Sequence, residues 1–276
     1  MFRDSYNGEN KKIFWHEMWR DEFHAALEDA PVVVVPVGSI EQHGPHCPMD
    51  VDIVGPFYMA VEAAWRTEGY PLIVAPPVWS GFTHYNKGFP GTISLRIETF
   101  MDLLQDICVS IHENGFHRII LVNGHGGNDA PVRVVRDVLA ERNVFVVGFS
   151  WWKMVEQEML EWGDTDNGSV GHGGEWETSV QLHLREHLIR KDLMNDDVFP
   201  NPFSEDLQSF VGFSERRRDT RDITGTMGSA SAASAEKGER IFELAVERLQ
   251  RVASEFHEQP IRHYFEFGSH CPRMQS

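Results

Sequence analysis

Cysteine is scarce in this chain, with three in 276 residues. Cys47, Cys108 and Cys271 form an odd set without a C-x-x-C pair, which argues against a disulfide framework and for a reducing compartment. Long apolar runs are missing too: none approaches the roughly 20 residues that cross a bilayer. The opening segment through Lys12 is polar and lacks the apolar centre of a secretory signal. Basic side chains are few, 25 against 42 acidic ones, for a formal net charge of -17. Such a field repels nucleic acid and anionic membrane surfaces, while it helps concentrate divalent cations. No G-x-S-x-G elbow, G-x-G-x-x-G turn or P-loop occurs, and no cysteine stands in a recognisable catalytic context. Internal repeats and heptads are absent as well. The expectation is a cytoplasmic globular protein with a small-molecule partner and no nucleic-acid or membrane partner. The sequon at Asn167 to Ser169 carries no meaning in that setting.

Hydrophobic residues make up 41% of the chain, ample for a buried core. A single domain is expected, with its core over residues 30–257, an N-terminal helical extension (1–30) and a C-terminal tail (258–276). Short apolar runs alternate with helical patterns, the signature of βαβ units and a largely parallel sheet. Val32 to Val37, Leu72 to Ala75, Arg118 to Val122 and Val144 to Phe149 read as strands, apolar on both faces and so covered by helices on both sides. Helices are expected over Ile53 to Glu68, Arg96 to Asn114, Pro131 to Arg142, Glu175 to His187 and Glu236 to His257. The second of them sets Ile97, Phe100, Met101, Leu104, Ile107, Cys108 and Ile111 at a helical period ahead of Gly115. Trp15, Trp19 and Phe23 share that spacing and suit an amphipathic helix over the core or a neighbouring subunit. Trp79 to Thr92 and Asp192 to Arg221 read as long loops, which are often functional. Ser229 to Ser234 reads as a close-packed turn into the last helix.

Residues with chemistry collect just beyond the predicted strands. Gly38-Ser-Ile-Glu41-Gln-His43-Gly-Pro-His46, with Asp50 and Asp52, follows the first strand. Asn123-Gly-His125-Gly-Gly-Asn128 follows the third, and Ser150-Trp151-Trp152 the fourth. Open α/β sheets bind ligands outside the carboxyl ends of their strands, so these segments should meet in one crevice. Glu41 and His43 lie two apart and point the same way if extended. Imidazole nitrogen and carboxylate oxygen without thiolate suit zinc, manganese or iron, and a carboxylate such as Asp52 can bridge two ions. His46 and Asp50 read as supporting or surface groups. The glycines around His125 permit close backbone approach, with an anion-binding turn as the rival reading. His172-Gly-Gly-Glu175-Trp-Glu177-Thr-Ser179 opens a predicted helix. Glu175 and Glu177 cannot share a helical face, so if both matter they do different jobs. One of them could complete a metal set or act as base, and His172 could be a general acid. Of Trp151 and Trp152, one could wall the substrate pocket, with a place in the core as the alternative.

Taken in order, Val35-Pro-Val-Gly-Ser-Ile-Glu41-Gln-His43-Gly-Pro-His46 with Asp52, Leu121-Val-Asn-Gly-His125-Gly-Gly-Asn128, and the His172 to Ser179 motif resemble the creatininase family. Phe89-Pro-Gly-Thr92 and Ala235-Glu-Lys-Gly238 fit it as well, so the likeness runs from about Val32 to Leu249. It implies a three-layer α/β/α fold with a mostly parallel central sheet, two divalent metal ions (Zn, Mn or Fe) and a homohexamer. By position it implies Glu41, Asp52 and His125 on one metal, and His43 with the bridging Asp52 on the other. The family's namesake enzyme supplies a last carboxylate two residues after the second-motif histidine, where this chain has Gly127. Glu175 is then expected to take that ligand place, with Glu177 as the base and the competing ligand. His172 matches the family's proton-donating histidine and Trp152 an aromatic over the substrate, which Gly126 and Gly127 would border. The implied activity is that of an amidohydrolase: metal-activated water attacks the carbonyl of a small cyclic amide or related C–N bond. One alternative is hydrolytic carbon–carbon ring opening of a cyclic keto-polyol such as a keto-inositol. The other, outside enzymes, is an anion- or nucleotide-binding protein built on the His125 loop.

Overall fold

The computed structural model describes residues 11–165, 171–197 and 224–261. Cys271, the sequon, most of the Asp192 to Arg221 loop and nearly all of the expected tail lie outside the described residues. The elements, in chain order, are α1 (Arg20–Glu28), β1 (Val32–Val37), α2 (Val51–Arg66), β2 (Leu72–Val74), α3 (Ile97–Glu113), β3 (Arg118–Asn123), α4 (Asp129–Glu141) and β4 (Val146–Ser150). After them come α5 (Glu156–Trp162), α6 (Glu175–Arg185), β5 (Asp196–Asp197), β6 (Gly228–Ser229) and α7 (Ala235–Glu258).

The first four strands form one sheet in the order β2-β1-β3-β4, and every neighbouring pair is parallel. Val32 pairs with Leu72 on one side and Arg118 on the other, and Leu121 pairs with Val35 and Gly148. Parallel neighbours need crossovers, which α2, α3 and α4 supply. Because side chains alternate along a strand, Val32, Val34, Ile120 and Val122 enter one core with Met59, Ala60 and Ala64 of α2 and Ile241, Phe242, Ala245 and Leu249 of α7. Val33, Val35, Ile119 and Leu121 enter the other, with Phe100, Leu104 and Cys108 of α3 and Val132, Val135 and Leu139 of α4. Two cores back to back make three layers, and they explain why these strands are apolar at nearly every position. β5 and β6 form a small antiparallel pair apart from this sheet.

Several expected boundaries move for physical reasons. α2 begins two residues earlier than its apolar pattern suggested, which puts Asp52 in its first turn and not in the loop before it. The Asp50 carbonyl accepts from the N–H groups of Ile53 and Val54, while its carboxylate is taken by Arg185 at 2.8 Å on each oxygen. Trp15, Trp19 and Phe23 do not share a helix, since Trp15 lies in a 3-10 turn and α1 starts at Arg20. Trp15 and Phe23 still meet, with ring centroids 4.6 Å apart, and both close on Phe116, whereas Trp19 caps α1 and is 69% exposed. Helix α5 was not expected. It buries only Met159, too weak an apolar period to stand out. The Ser229 to Ser234 turn does lead into α7, and Ser234 Oγ caps it by accepting from the Lys237 N–H at 3.2 Å.

Helices α6 and α7 pack backbone to backbone at Gly238, where an added Cβ would lie 1.9 Å from the Ser179 carbonyl oxygen. In an open helix Gly→Ala gains about 1 kcal/mol, but here the contact is with backbone that cannot swing away. Gly238→Ala should therefore destabilise the fold, by roughly 1–3 kcal/mol. Urea unfolding measures this, and a variant more stable than wild type would contradict the packing described.

Candidate metal centre

Glu41 and His43 follow β1, Asp52 opens α2, His125 follows β3, and His172 and Glu177 flank the start of α6. These segments meet at the carboxyl end of the sheet, as expected of an open α/β architecture. Asp52 lies at the middle. Its Oδ1 is 3.0 Å from His43 Nε2, and its Oδ2 is 3.1 Å from His125 Nδ1. Glu41 Oε1 is 3.1 Å from His125 Nδ1 and 3.2 Å from His172 Nδ1. Glu177 Oε2 lies 3.5 Å from His43 Nε2 and accepts from the Gly173 N–H at 2.6 Å. The groups fall into three sets: Glu41, Asp52 and His125; His43, Asp52 and Glu177; and Glu41, His43 and His172.

Glu175 is not brought to this centre. Its carboxylate is buried, bound to Lys237 Nζ and accepting from the Asp164 N–H and the Thr165 hydroxyl at 3.1 Å each. The place expected for it is the one that Glu177 reaches. The physical reason is the helix itself: residues two apart on α6 point roughly 200° apart.

The arrangement fits divalent cations. Asp52 Oδ2 is buried and makes no hydrogen bond, although His125 Nδ1 is close. Ligands about 2.0–2.2 Å from a shared ion lie roughly 3–3.6 Å from one another, which matches these spacings. Each imidazole also has its other nitrogen tied to a backbone carbonyl: His43 Nδ1 to Glu41 at 3.2 Å, His125 Nε2 to Phe82 at 3.1 Å and His172 Nε2 to Gln42. Histidines that ligate metals are oriented this way as a rule.

The charges tell the same story. Burial opposes a charge on His43, but Asp52, Glu177 and Glu41 outweigh it and raise its pKa to about 10. The same contest, through Glu41 and Asp52, raises His125 well above its ordinary value. Glu41 is held well below the usual carboxylate range, because His125, His172 and His43 outweigh its burial. Burial and the neighbouring His43 push His172 down to about 4, and burial lifts Glu177 to about 7. A centre that holds protons on His43 and His125 so tightly is short of positive charge.

A cavity of about 590 Å³ opens above the centre, lined by Glu41, Asp52, His125, His172 and Glu177 at its floor and by Trp151, Trp152, Trp176, Met159, His84 and Tyr85 on its walls. Gly126 and Gly127 border it. Trp152 is half-buried there, while Trp151 is also core. Among the described residues no lysine or arginine lines the cavity. Several supporting groups escaped the sequence reading. The Thr83 hydroxyl and Asn86 Nδ2 (2.9 Å) both donate to Glu41 Oε2, and Gln42 Nε2 donates to Asn86 Oδ1 at 2.9 Å. Their only signal was the length and polarity of the Trp79 to Thr92 loop. His46 supports from behind, with Nε2 3.1 Å from the Gly173 carbonyl and 3.0 Å from Thr178 Oγ1. Burial pushes the thiols of Cys47 and Cys108 up to about 12, so neither is a thiolate nucleophile.

A parallel α/β/α sheet with carboxylates and imidazoles paired at the floor of a cavity describes a metal-dependent hydrolase. The profile of the Creatininase family, creatinine amidohydrolase, matches residues 16–253. Creatinine amidohydrolase of Pseudomonas putida is 30% identical over 267 residues, covering 87% of this chain and 95% of that protein. The 3-dehydro-scyllo-inosose hydrolase of Thermotoga maritima is 26% identical over 185 residues, covering 65% of this chain and 58% of that protein. A solved structure of creatininase with Mn superposes with a TM-score of 0.76 at 28% identity, covering 90% of this chain and 100% of that one. The chain belongs to the creatininase family, and its three-layer fold is the family's.

Cations must displace the protons on these imidazoles. Against its burial, the neighbouring carboxylates raise His43 to about 10, so it is protonated at neutral pH and, as a ligand, would give up that proton. Zinc or manganese affinity should therefore rise with pH between 6 and 9, about tenfold per unit for each proton displaced. Calorimetry in buffers of different ionisation enthalpy counts those protons. Binding without proton release would mean that the ions bind elsewhere.

Proposed function

We propose that this hydrolase is a binuclear metal-dependent amidohydrolase, carried by a single domain with its core over residues 30–257 and cleaving a C–N bond of a small molecule such as a cyclic amide. Glu41, Asp52 and His125 would hold one divalent cation, and His43, Asp52 and Glu177 the other. The observation that carries the reading is Asp52, whose two buried oxygens face two separate imidazoles at 3.0 and 3.1 Å. Zinc, manganese or iron held there would lower the pKa of water toward neutrality and polarise a carbonyl oxygen. The protein's own groups do the rest. His172 has Nε2 engaged by the Gln42 carbonyl, which leaves Nδ1, facing Glu41 and the cavity floor, as the atom that takes a proton and passes it to the leaving nitrogen. Asn86 holds Glu41 in register through its Nδ2, and the Gln42 carbonyl does the same for His172. The aromatic walls, Trp152 among them, would hold a flat substrate and exclude water.

Two other readings are less well supported. A keto-polyol such as the Thermotoga relative's substrate would find polar groups at His84, Tyr85 and Asn86, but it would face predominantly aromatic walls. An anion-binding role meets a floor of carboxylates with no described cation beside it. A cytoplasmic homohexamer completes the proposal. Exposed Trp19, Trp79 and Leu160 offer apolar surface for subunit contacts, and among the described residues no helix is long and apolar enough to cross a membrane.

Elemental analysis separates the two glutamates. Wild type should carry two metals per chain and Glu177→Gln about one, while Glu175→Gln keeps both and loses thermal stability as Lys237 loses its buried partner. Metal loss confined to Glu175→Gln would reverse the ligand assignment. His172→Ala should keep its metals and lose roughly 10²–10⁴ in kcat on whichever lactam, formamide or short peptide the wild type cleaves. An unchanged kcat would remove His172 from the chemistry.

A further inference from the structure

Gly127 borders the cavity, yet the space above its Cα already belongs to the protein. A Cβ there would lie 2.3 Å from the Phe82 carbonyl oxygen and 2.5 Å from His125 Nε2. Those two atoms are partners, 3.1 Å apart. A carbonyl only accepts, so Nε2 is the protonated nitrogen of that pair and Nδ1 is left facing Glu41 and Asp52. The carbonyl is itself held in place. Asn128, fully buried, accepts from the Phe82 N–H through Oδ1 at 2.9 Å and donates from Nδ2 to the Gly38 carbonyl at 3.0 Å. Gly81 leaves room for this amide, since a Cβ at that position would fall 2.4 Å from both Oδ1 and Nδ2 of Asn128. Gly126 makes the contrast: nothing lies within 4 Å of its Cβ position. Of the two adjacent glycines, one faces open cavity and the other faces a hydrogen bond.

We propose that Gly127, Asn128 and the Phe82 carbonyl form a clamp that dictates which nitrogen of His125 faces the carboxylates, and that position 127 lacks a side chain for the clamp's sake and not the substrate's. Gly127 and Asn128 are thus positioning residues acting through His125. The clamp also joins three segments far apart in sequence: the end of β1 at Gly38, the long loop at Gly81 and Phe82, and the turn into α4. A side chain at 127 would push Phe82 O away from Nε2, free the ring to rotate, and spoil the direction of Nδ1. The consequence for the centre rests on reading His125 as a metal ligand, whereas the hydrogen bond itself does not.

The test pairs two readouts. Zinc affinity is measured by competition with a chromophoric chelator, and the His125 Nε2–H proton is followed by NMR in metal-free, ¹⁵N-histidine-labelled protein. Gly127→Ala should bind zinc roughly 10- to 100-fold more weakly, the range seen when the outer partner of a ligand histidine is lost. Wild type should show a slowly exchanging Nε2–H signal, and Gly127→Ala should lose it. Asn128→Ala opens the clamp without adding a clash and should do the same, which keeps the test alive if Gly127→Ala does not fold. Gly126→Ala is the steric control and should bind zinc as wild type does. Folded Gly127→Ala and Asn128→Ala with wild-type zinc affinity and the proton signal intact would overturn the clamp and leave the metal centre standing. Wild type that binds no zinc would overturn the metal centre instead, and the proton signal alone would then decide the clamp.

Discussion

The Asp52 carboxylate has to satisfy two neighbours at once, and the surrounding structure keeps it in the one orientation that does so. It sits in the first turn of α2, where the helix dipole favours negative charge. A shift of one residue in the helix start would rotate it by about 100°, which would take both oxygens off their partners. Asp50 prevents that. Its carbonyl takes the first N–H groups of α2, and its carboxylate is gripped on both oxygens by Arg185, which Gln181 braces in turn at 2.7 Å. Arg185 closes the same helix, α6, that presents Glu177 from its first turn. One ion pair therefore ties together the two helices that carry Asp52 and Glu177.

Burying carboxylates costs several kcal/mol for each ion unless partners compensate. Glu41 and Asp52 are both almost fully buried, at 1% and 2% exposure. Without cations the compensation comes from protons on His43 and His125, which is why those imidazoles hold theirs so far above neutrality. With cations, the imidazoles would release the protons and offer lone pairs. The fold tolerates the cluster because either occupant meets the same demand for positive charge. Glu175 shows the opposite case. It is as buried as its neighbours, but Lys237, a backbone N–H and a hydroxyl already satisfy it, so it has nothing left to offer a cation.

Much of this was legible in the sequence where a pattern has a local cause. Val32 to Val37 is apolar at every position because both faces of β1 are covered, and that strand lies where its composition put it. Glu41 and His43 could be paired from their spacing, since two residues apart in an extended segment means one side. Asp52 could be named but not placed, because the start of α2 depends on Asp50 and on an arginine far along the chain. Thr83, Asn86 and the Phe82 carbonyl were invisible for another reason: a loop acts through backbone groups and short polar side chains that carry no periodicity. Gly127 could be read as allowing close backbone approach, but the carbonyl that approaches, that of Phe82, belongs to a loop without periodicity.

The choice between Glu175 and Glu177 shows where sequence reasoning must stop and why. Helical geometry requires the two to point apart, so one was bound to face the crevice and the other the neighbouring helix. Nothing local says which. The deciding group is Lys237, 62 residues further on in the first turn of α7, where a cation is poorly placed with respect to the helix dipole and needs anionic partners. Glu175 and Asp164 provide them. Lys237 reaches Glu175 because the next residue is Gly238, whose lack of a side chain lets α7 settle against the Ser179 carbonyl of α6. The Ala235 to Gly238 segment thus acts on the centre indirectly. By drawing α7 close and neutralising Glu175, it settles the phase of α6 and turns Glu177 toward His43.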